Sequence, residues 1–159
     1  MFTRSHLQIV KFIAEEVTRQ QAEPDKVYCM LVAWQHALDY FEVAKKENRT
    51  RQMLSSGLVE HWGRLIEPEK NKDGFRTVDV FVGGHRCPDP SQVPMLMHDW
   101  AQTVKGGLTP ELTYISFLEV HPFKDGNGRT AKLIYFWLCE KLLEPNITSI
   151  PNPWGIANP

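Results

Sequence analysis

No stretch of this sequence approaches the roughly eighteen consecutive apolar residues of a membrane-spanning helix. The opening residues, MFTRSHLQIVKFIAEEV, also lack the unbroken apolar core of a secretion leader, because Lys11, Glu15 and Glu16 interrupt it. An excess of either charge is missing too. The 18 Lys and Arg face 19 Asp and Glu, for a net charge of −1, which argues against a protein living on nucleic-acid phosphates. Cysteine is scarce: Cys29, Cys87 and Cys139 are odd in number and far apart. With no CxxC pair and no Cys/His ligand spacing, they suit neither a disulfide scaffold nor a structural zinc site. These absences predict a protein of the reducing cytoplasm with no membrane or direct nucleic-acid partner. What is present is ordinary for one globular domain: 159 residues, 42% hydrophobic and 23% charged.

Apolar spacing predicts a mainly helical chain. Leu7, Ile9, Val10, Phe12, Ile13 and Val17 form a stripe over residues 5 to 20, with Ser5 as its expected cap. A second helix is expected to begin at Pro24-Asp25 and carry Val27, Met30, Leu31, Trp34, Leu38 and Phe41; a third is expected over roughly 51 to 66. Gly57 and Gly63 weaken that third helix, each by about 1 kcal/mol against alanine. The period then changes. After the turn-rich EPEKNKDG, Val78, Val80 and Val82 alternate with Thr77, Asp79 and Phe81, which predicts a strand, and Gly83-Gly84 suits a hairpin turn. Cys87-Pro-Asp-Pro90 ends the pairing, since proline donates no ladder bond. Helices are expected again from about 92, from Thr109-Pro110 and from about Gly128 to Leu143, the last apolar round most of its circumference. The proline-rich tail, 145–159, reads as irregular, with Trp154 expected to dock on the core.

The chemistry concentrates in His121-Pro-Phe-Lys-Asp125-Gly-Asn127-Gly-Arg129, between two apolar helices. Gly126 and Gly128 permit backbone conformations in which successive N–H groups converge on an anion. The following helix points its unpaired N–H groups and positive dipole end at the same place. Arg129 and Lys132 in its first turns are unfavourable cations there unless an anion joins them. His121 suits a general base near neutral pH, and Asp125 is a hard oxygen ligand for Mg²⁺ beside phosphate oxygens. Together these are the parts for attack on phosphorus. A P-loop needs GxxxxGK(S/T), which GNGRTAK does not supply. An EF-hand beginning at Asp125 needs an acid where Phe136 stands. A plain interhelical turn accounts for the glycines but not for His121, Arg129 and Lys132 together.

The segment resembles the signature of the Fic family, HxFx(D/E)GNGRxxR. It matches at His121, Phe123, Asp125, Gly126, Asn127, Gly128 and Arg129, and departs where Lys132 replaces the last arginine. GNGR places it with Fic rather than the Doc branch, which has GNKR. The similarity extends through GFRTVDVFVGG and covers about 55–144. It implies a single Fic domain over 1–159: a helical bundle with a small β-hairpin flap beside the active-site loop. It also implies protein adenylyltransfer, AMP passing from ATP to a protein hydroxyl with Mg²⁺. On this resemblance His121 is the base and Asp125 holds the metal. Gly126, Asn127 and Gly128 cradle phosphates, Arg129 neutralises the leaving pyrophosphate, and Phe123 anchors the loop. Lys124 is a lesser candidate for a phosphate contact. The hairpin, 76–86, is expected to dock the target protein by strand addition, with His85 at its turn.

Lysine at 132 keeps the charge but loses the planar fork of arginine, which opens the reading to another phosphate-containing donor. A catalytically idle nucleotide- or partner-binding module is the further alternative. In autoinhibited members of the family a glutamate pairs with the last arginine, from a motif of Ser or Thr, three residues, Glu, then Gly or Asn. Ser56 and Glu60 fit its first five positions and His61 breaks the sixth. If Glu60 is not inhibitory, restraint is expected from a separate inhibitory partner of the antitoxin kind, or is absent.

Overall fold

The computed structural model describes residues 3–146, 148 and 150; the expected docking of Trp154 lies outside them. The described residues form six α-helices: α1 (Arg4–Arg19), α2 (Lys26–Lys46), α3 (Ser56–Ile66), α4 (Val93–Lys105), α5 (Pro110–Val120) and α6 (Asn127–Leu138). The only sheet among them is the antiparallel pair β1 (Phe81–Val82) and β2 (His85–Arg86). The architecture is therefore the mainly α bundle with a small hairpin that the sequence predicts.

Local chemistry sets most boundaries. α1 is capped by Thr3 rather than Ser5: the Thr3 hydroxyl accepts from the His6 amide, and the His6 ring bonds back to the Thr3 amide as a capping box. α3 starts later than expected, at Ser56, because the Ser55 hydroxyl accepts from the Leu58 amide and caps it there. α5 begins at Pro110 with Thr109 as its cap, as the sequence predicts. α6 stops at Leu138, short of the expected Leu143. Glu140 turns left-handed at φ 57°, and the amides of Glu140 and Lys141 bond back to the carbonyls of Trp137 and Phe136. That pattern is a Schellman ending built without glycine.

α6 is the central helix. Ala131, Leu133, Ile134, Tyr135, Phe136 and Trp137 are all buried, so it is apolar on every side. Phe136 meets Phe12 and Trp34, and Trp137 meets Phe41 and Trp62. α5 packs along α6 most extensively, with α3 and α2 on its other sides. The strand of the hairpin is much shorter than the valine alternation suggests. Val78 and Val82 are exposed, so the alternation has no apolar face to bury. The ladder is Phe81 opposite Arg86 and Val82 opposite His85, closed by Gly83 at φ 54° and Gly84 at φ 81°.

Candidate active site

The loop from His121 to Gly126 joins α5 to α6, and its backbone is held from inside. His121 ends α5 in the left-handed region, φ 51° and ψ 62°, an uncommon conformation for a residue with a side chain. Phe123 is fully buried against Phe75 and Phe117. Its ring lies so close to Gly63 of α3 that a Cβ there would overlap it. Gly63 is thus a packing requirement and not a defect in the helix. Asn127 closes the loop: its amide oxygen accepts from the Phe123 N–H and its amide nitrogen donates to the Phe123 carbonyl, both at 2.9 Å. Gly126 supplies the turn into α6 at φ 75°.

At the entrance the His121 ring is half-buried, its Nδ1 3.3 Å from the Leu118 carbonyl. A carbonyl only accepts, so the proton sits on Nδ1 and the lone pair on Nε2, the tautomer a general base requires. Burial lowers the His121 pKa below its ordinary 6.5, and the Arg76 charge adds to this; the Leu118 bond and Asp125 oppose it. The net shift favours the neutral ring.

Asp125 is 40% exposed. Its Oδ1 accepts from the Gly126 amide at 2.7 Å and its Oδ2 from Lys70 at 2.5 Å. Burial alone would raise its pKa; Lys70, the Gly126 amide and Arg129 together hold it below the usual carboxylate range. A half-exposed carboxylate beside the turn into α6 is the kind of donor that suits Mg²⁺, which takes one or two carboxylates and completes its shell with other oxygens and water. Among the described residues no group of three or more His, Cys, Asp or Glu gathers as a metal cage. Lys124 is exposed.

The cations of α6 lie elsewhere than a free phosphate cradle would have them. Arg129 is 1% exposed. Its Nη2 donates to Glu67 at 2.7 Å and stands 3.6 Å from Asp125. Its Nε and Nη1 are buried with no hydrogen-bond partner. Glu67 also meets Lys26 at 3.2 Å. Lys132 is fully buried and donates to Glu16 of α1 at 2.5 Å. Burial lowers the Lys132 pKa, with Glu16 opposing. Glu16 meets Arg19 as well, at 2.5 Å. Gln20 follows at the end of α1, and a Cβ on Gly128 would stand 3.0 Å from its side chain. The end of α1 therefore lies over the start of α6.

Glu60 does not reach Lys132. Its Oε2 accepts from the Phe75 amide at 3.1 Å and its Oε1 meets Arg64 at 3.5 Å, so it braces the loop before the hairpin. Sequence reasoning missed Glu16, Glu67, Asn71 and Arg76. Glu16 had a signal: it falls on the buried face with Ile9, Phe12, Ile13 and Val17, where an acid needs a buried cation. Asn71, within a run read as plain loop, is buried and donates to the carbonyls of Gly63 and Asp125 at 3.0 and 2.8 Å.

No helix among the described residues is long and apolar enough to cross a membrane. "Protein adenylyltransferase Fic" of Drosophila willistoni is 38% identical over 68 residues, covering 38% of this chain and 14% of that protein. The proteins of the same name from Aedes aegypti and Culex quinquefasciatus are each 35% identical over 68 residues, with the same coverage. The chain thus spans about 14% of the length of these curated relatives. The family model described as the Fic/DOC family matches residues 53–139, from just before α3 to the end of α6, and on that match the chain belongs to the Fic/DOC family.

Proposed function

We propose that this chain is a protein adenylyltransferase, moving AMP from ATP to a hydroxyl side chain of a target protein. The observation that carries the reading is the placement of His121, which ends α5 at the loop into α6 with its Nδ1 3.3 Å from the Leu118 carbonyl, so that a bond there leaves Nε2 as the proton acceptor. In this reading Nε2 takes the proton of the target hydroxyl as its oxygen bonds to the α-phosphorus. The bond from that phosphorus to the bridging oxygen breaks, and pyrophosphate leaves with the electron pair. Arg129, with two unpartnered nitrogens, stabilises the charge that develops on the leaving group. The amides at Gly126, Asn127 and Gly128 orient the phosphates. Asp125 is the residue that would hold Mg²⁺, which when bound neutralises phosphate charge. The exposed hairpin edge with Phe81 and Val82 offers an extended target segment a strand to pair with.

In this reading phosphate competes with Glu67 for Arg129 and with Glu16 for Lys132, and a separate inhibitory partner remains a further means of restraint. With α-labelled ATP, Mg²⁺ and a cell lysate, wild type labels a protein band and His121→Ala loses the signal about 10²–10⁴-fold. Equal labelling by the variant contradicts the role of His121. A second reading, transfer from another phosphate-containing donor, is favoured by the enclosure of Lys132. Label arriving from γ-labelled but not α-labelled ATP supports it. Absence of nucleotide binding by calorimetry supports a partner-binding module instead.

A further inference from the structure

Arg76, at the root of the hairpin, is a buried cation whose contacts in the structure are carbonyl oxygens. It is 1% exposed. Its Nε donates to the His121 carbonyl at 2.7 Å and its Nη2 to Val120 at 3.2 Å and Pro88 at 2.7 Å. Its Nη1 donates to Val78 at 3.0 Å, and its own amide donates to the Pro122 carbonyl at 2.8 Å. One side chain and its amide thus grip three consecutive residues of the corner, Val120, His121 and Pro122. The same guanidinium grips both strands' approaches to the hairpin, Val78 before it and Pro88 after it. A planar fork with five N–H donors can serve these directions at once; an ammonium cannot. Burying a charge against neutral acceptors is costly unless each bond is well made, so the clamp is rigid or it is not formed. It meets α5 where the helix's last carbonyls need partners. It also meets the backbone of His121, the residue held in a left-handed conformation.

We propose that Arg76 is a positioning residue that locks the hairpin to the His121 corner, so that the surface offered to a target and the base that attacks through it keep one fixed geometry. This rests on His121 as the base of the reaction proposed above. Three groups facing the His121 ring enter the test: Arg76, Asp125 across the loop, and the Leu118 carbonyl beneath it. Arg76→Met removes fork and charge; Arg76→Lys keeps the charge and removes the fork.

The test combines amide hydrogen exchange, NMR titration of the His121 ring and the rate of labelling from α-labelled ATP. In Arg76→Met, exchange speeds at the Cys87 amide, which bonds to Val80 across the hairpin base, while the Ile134 amide in α6 stays protected. The His121 midpoint moves up, and the labelling rate falls about 10²-fold, the cost of a misplaced reacting group, with KM for ATP unchanged. In Arg76→Lys the His121 midpoint stays near wild type, while hairpin exchange still speeds and the rate still falls. If Arg76→Met does not fold, Arg76→Lys carries the test. Wild-type exchange and wild-type rate in the lysine variant overturn the proposal. Exchange and titration are read without any transfer reaction, so a wild type that labels nothing defeats the adenylyltransferase reading and leaves the clamp to be judged on those two signals.

Discussion

The two ends of the catalytic segment differ in a way their sequence does not announce. At the entrance, the His121 ring is half-buried, with its pKa lowered by burial, and Asp125 is 40% exposed. At the exit, Arg129 and Lys132 are buried and matched by Glu67 and Glu16. The entrance is partly open to solvent; the exit is enclosed and held by ion pairs. An ion pair this deep repays little net stability, because desolvation consumes most of its attraction. On the function proposed above, these carboxylates stand where phosphates would bind, beside the unpartnered Arg129 nitrogens.

The sharpest way to break that contrast is Glu16→Gln. It removes the carboxylate that the buried Lys132 meets on α1, and loss of one partner of a buried pair costs about 3–5 kcal/mol. Chemical denaturation should read that loss. Phosphate can then replace the missing carboxylate, so ATP with Mg²⁺ should raise the Tm of the variant more than that of wild type. Equal shifts would mean that Glu16 and nucleotide do not compete for the same cation.

A smaller effect is expected from Gly63→Ala, which tests whether the entrance depends on packing from α3. The added methyl meets the Phe123 ring, and overpacking of this kind costs about 1–3 kcal/mol. Denaturant midpoints should fall, and the His121 and Asp125 resonances should shift with the loop. A midpoint equal to wild type would show that Phe123 does not fix the loop through this contact.

The smallest effect concerns pH. Burial sets the His121 pKa below 6.5, so the acid limb of the transfer rate should have its midpoint below 6.5. The stability sign follows from the same shift. Between the folded and unfolded values the unfolded chain binds the extra proton, so this group's contribution is complete above 6.5 and is lost as pH falls. A midpoint above 6.5 would place a different group in control.

Much of this site was legible because the loop is a local object. The residues from His121 to Arg129 are contiguous, and the glycines, the caps of α5 and the apolar α6 all act over one or two turns. What escaped reading was long-range. Glu16 is separated from Lys132 by most of the chain, and although its place on the apolar face of α1 signals a buried acid, nothing local names its partner. Arg76 looked like a strand residue; its work is done through carbonyls of Val120 and His121, which have no sequence identity. The overlong strand had a similar cause: valine alternation reports a pleat only where one face is buried, and Val78 and Val82 are exposed. The early end of α6 depended on Glu140 accepting a left-handed turn, for which glutamate gives no warning.

Mass spectrometry of lysate proteins after incubation with ATP, Mg²⁺ and either wild type or His121→Ala bears most directly on the account. It predicts an adenylyl group on a Ser, Thr or Tyr of a target with wild type and none with the variant. Equal modification by both proteins, or a phosphoryl group in place of the adenylyl group, would contradict it.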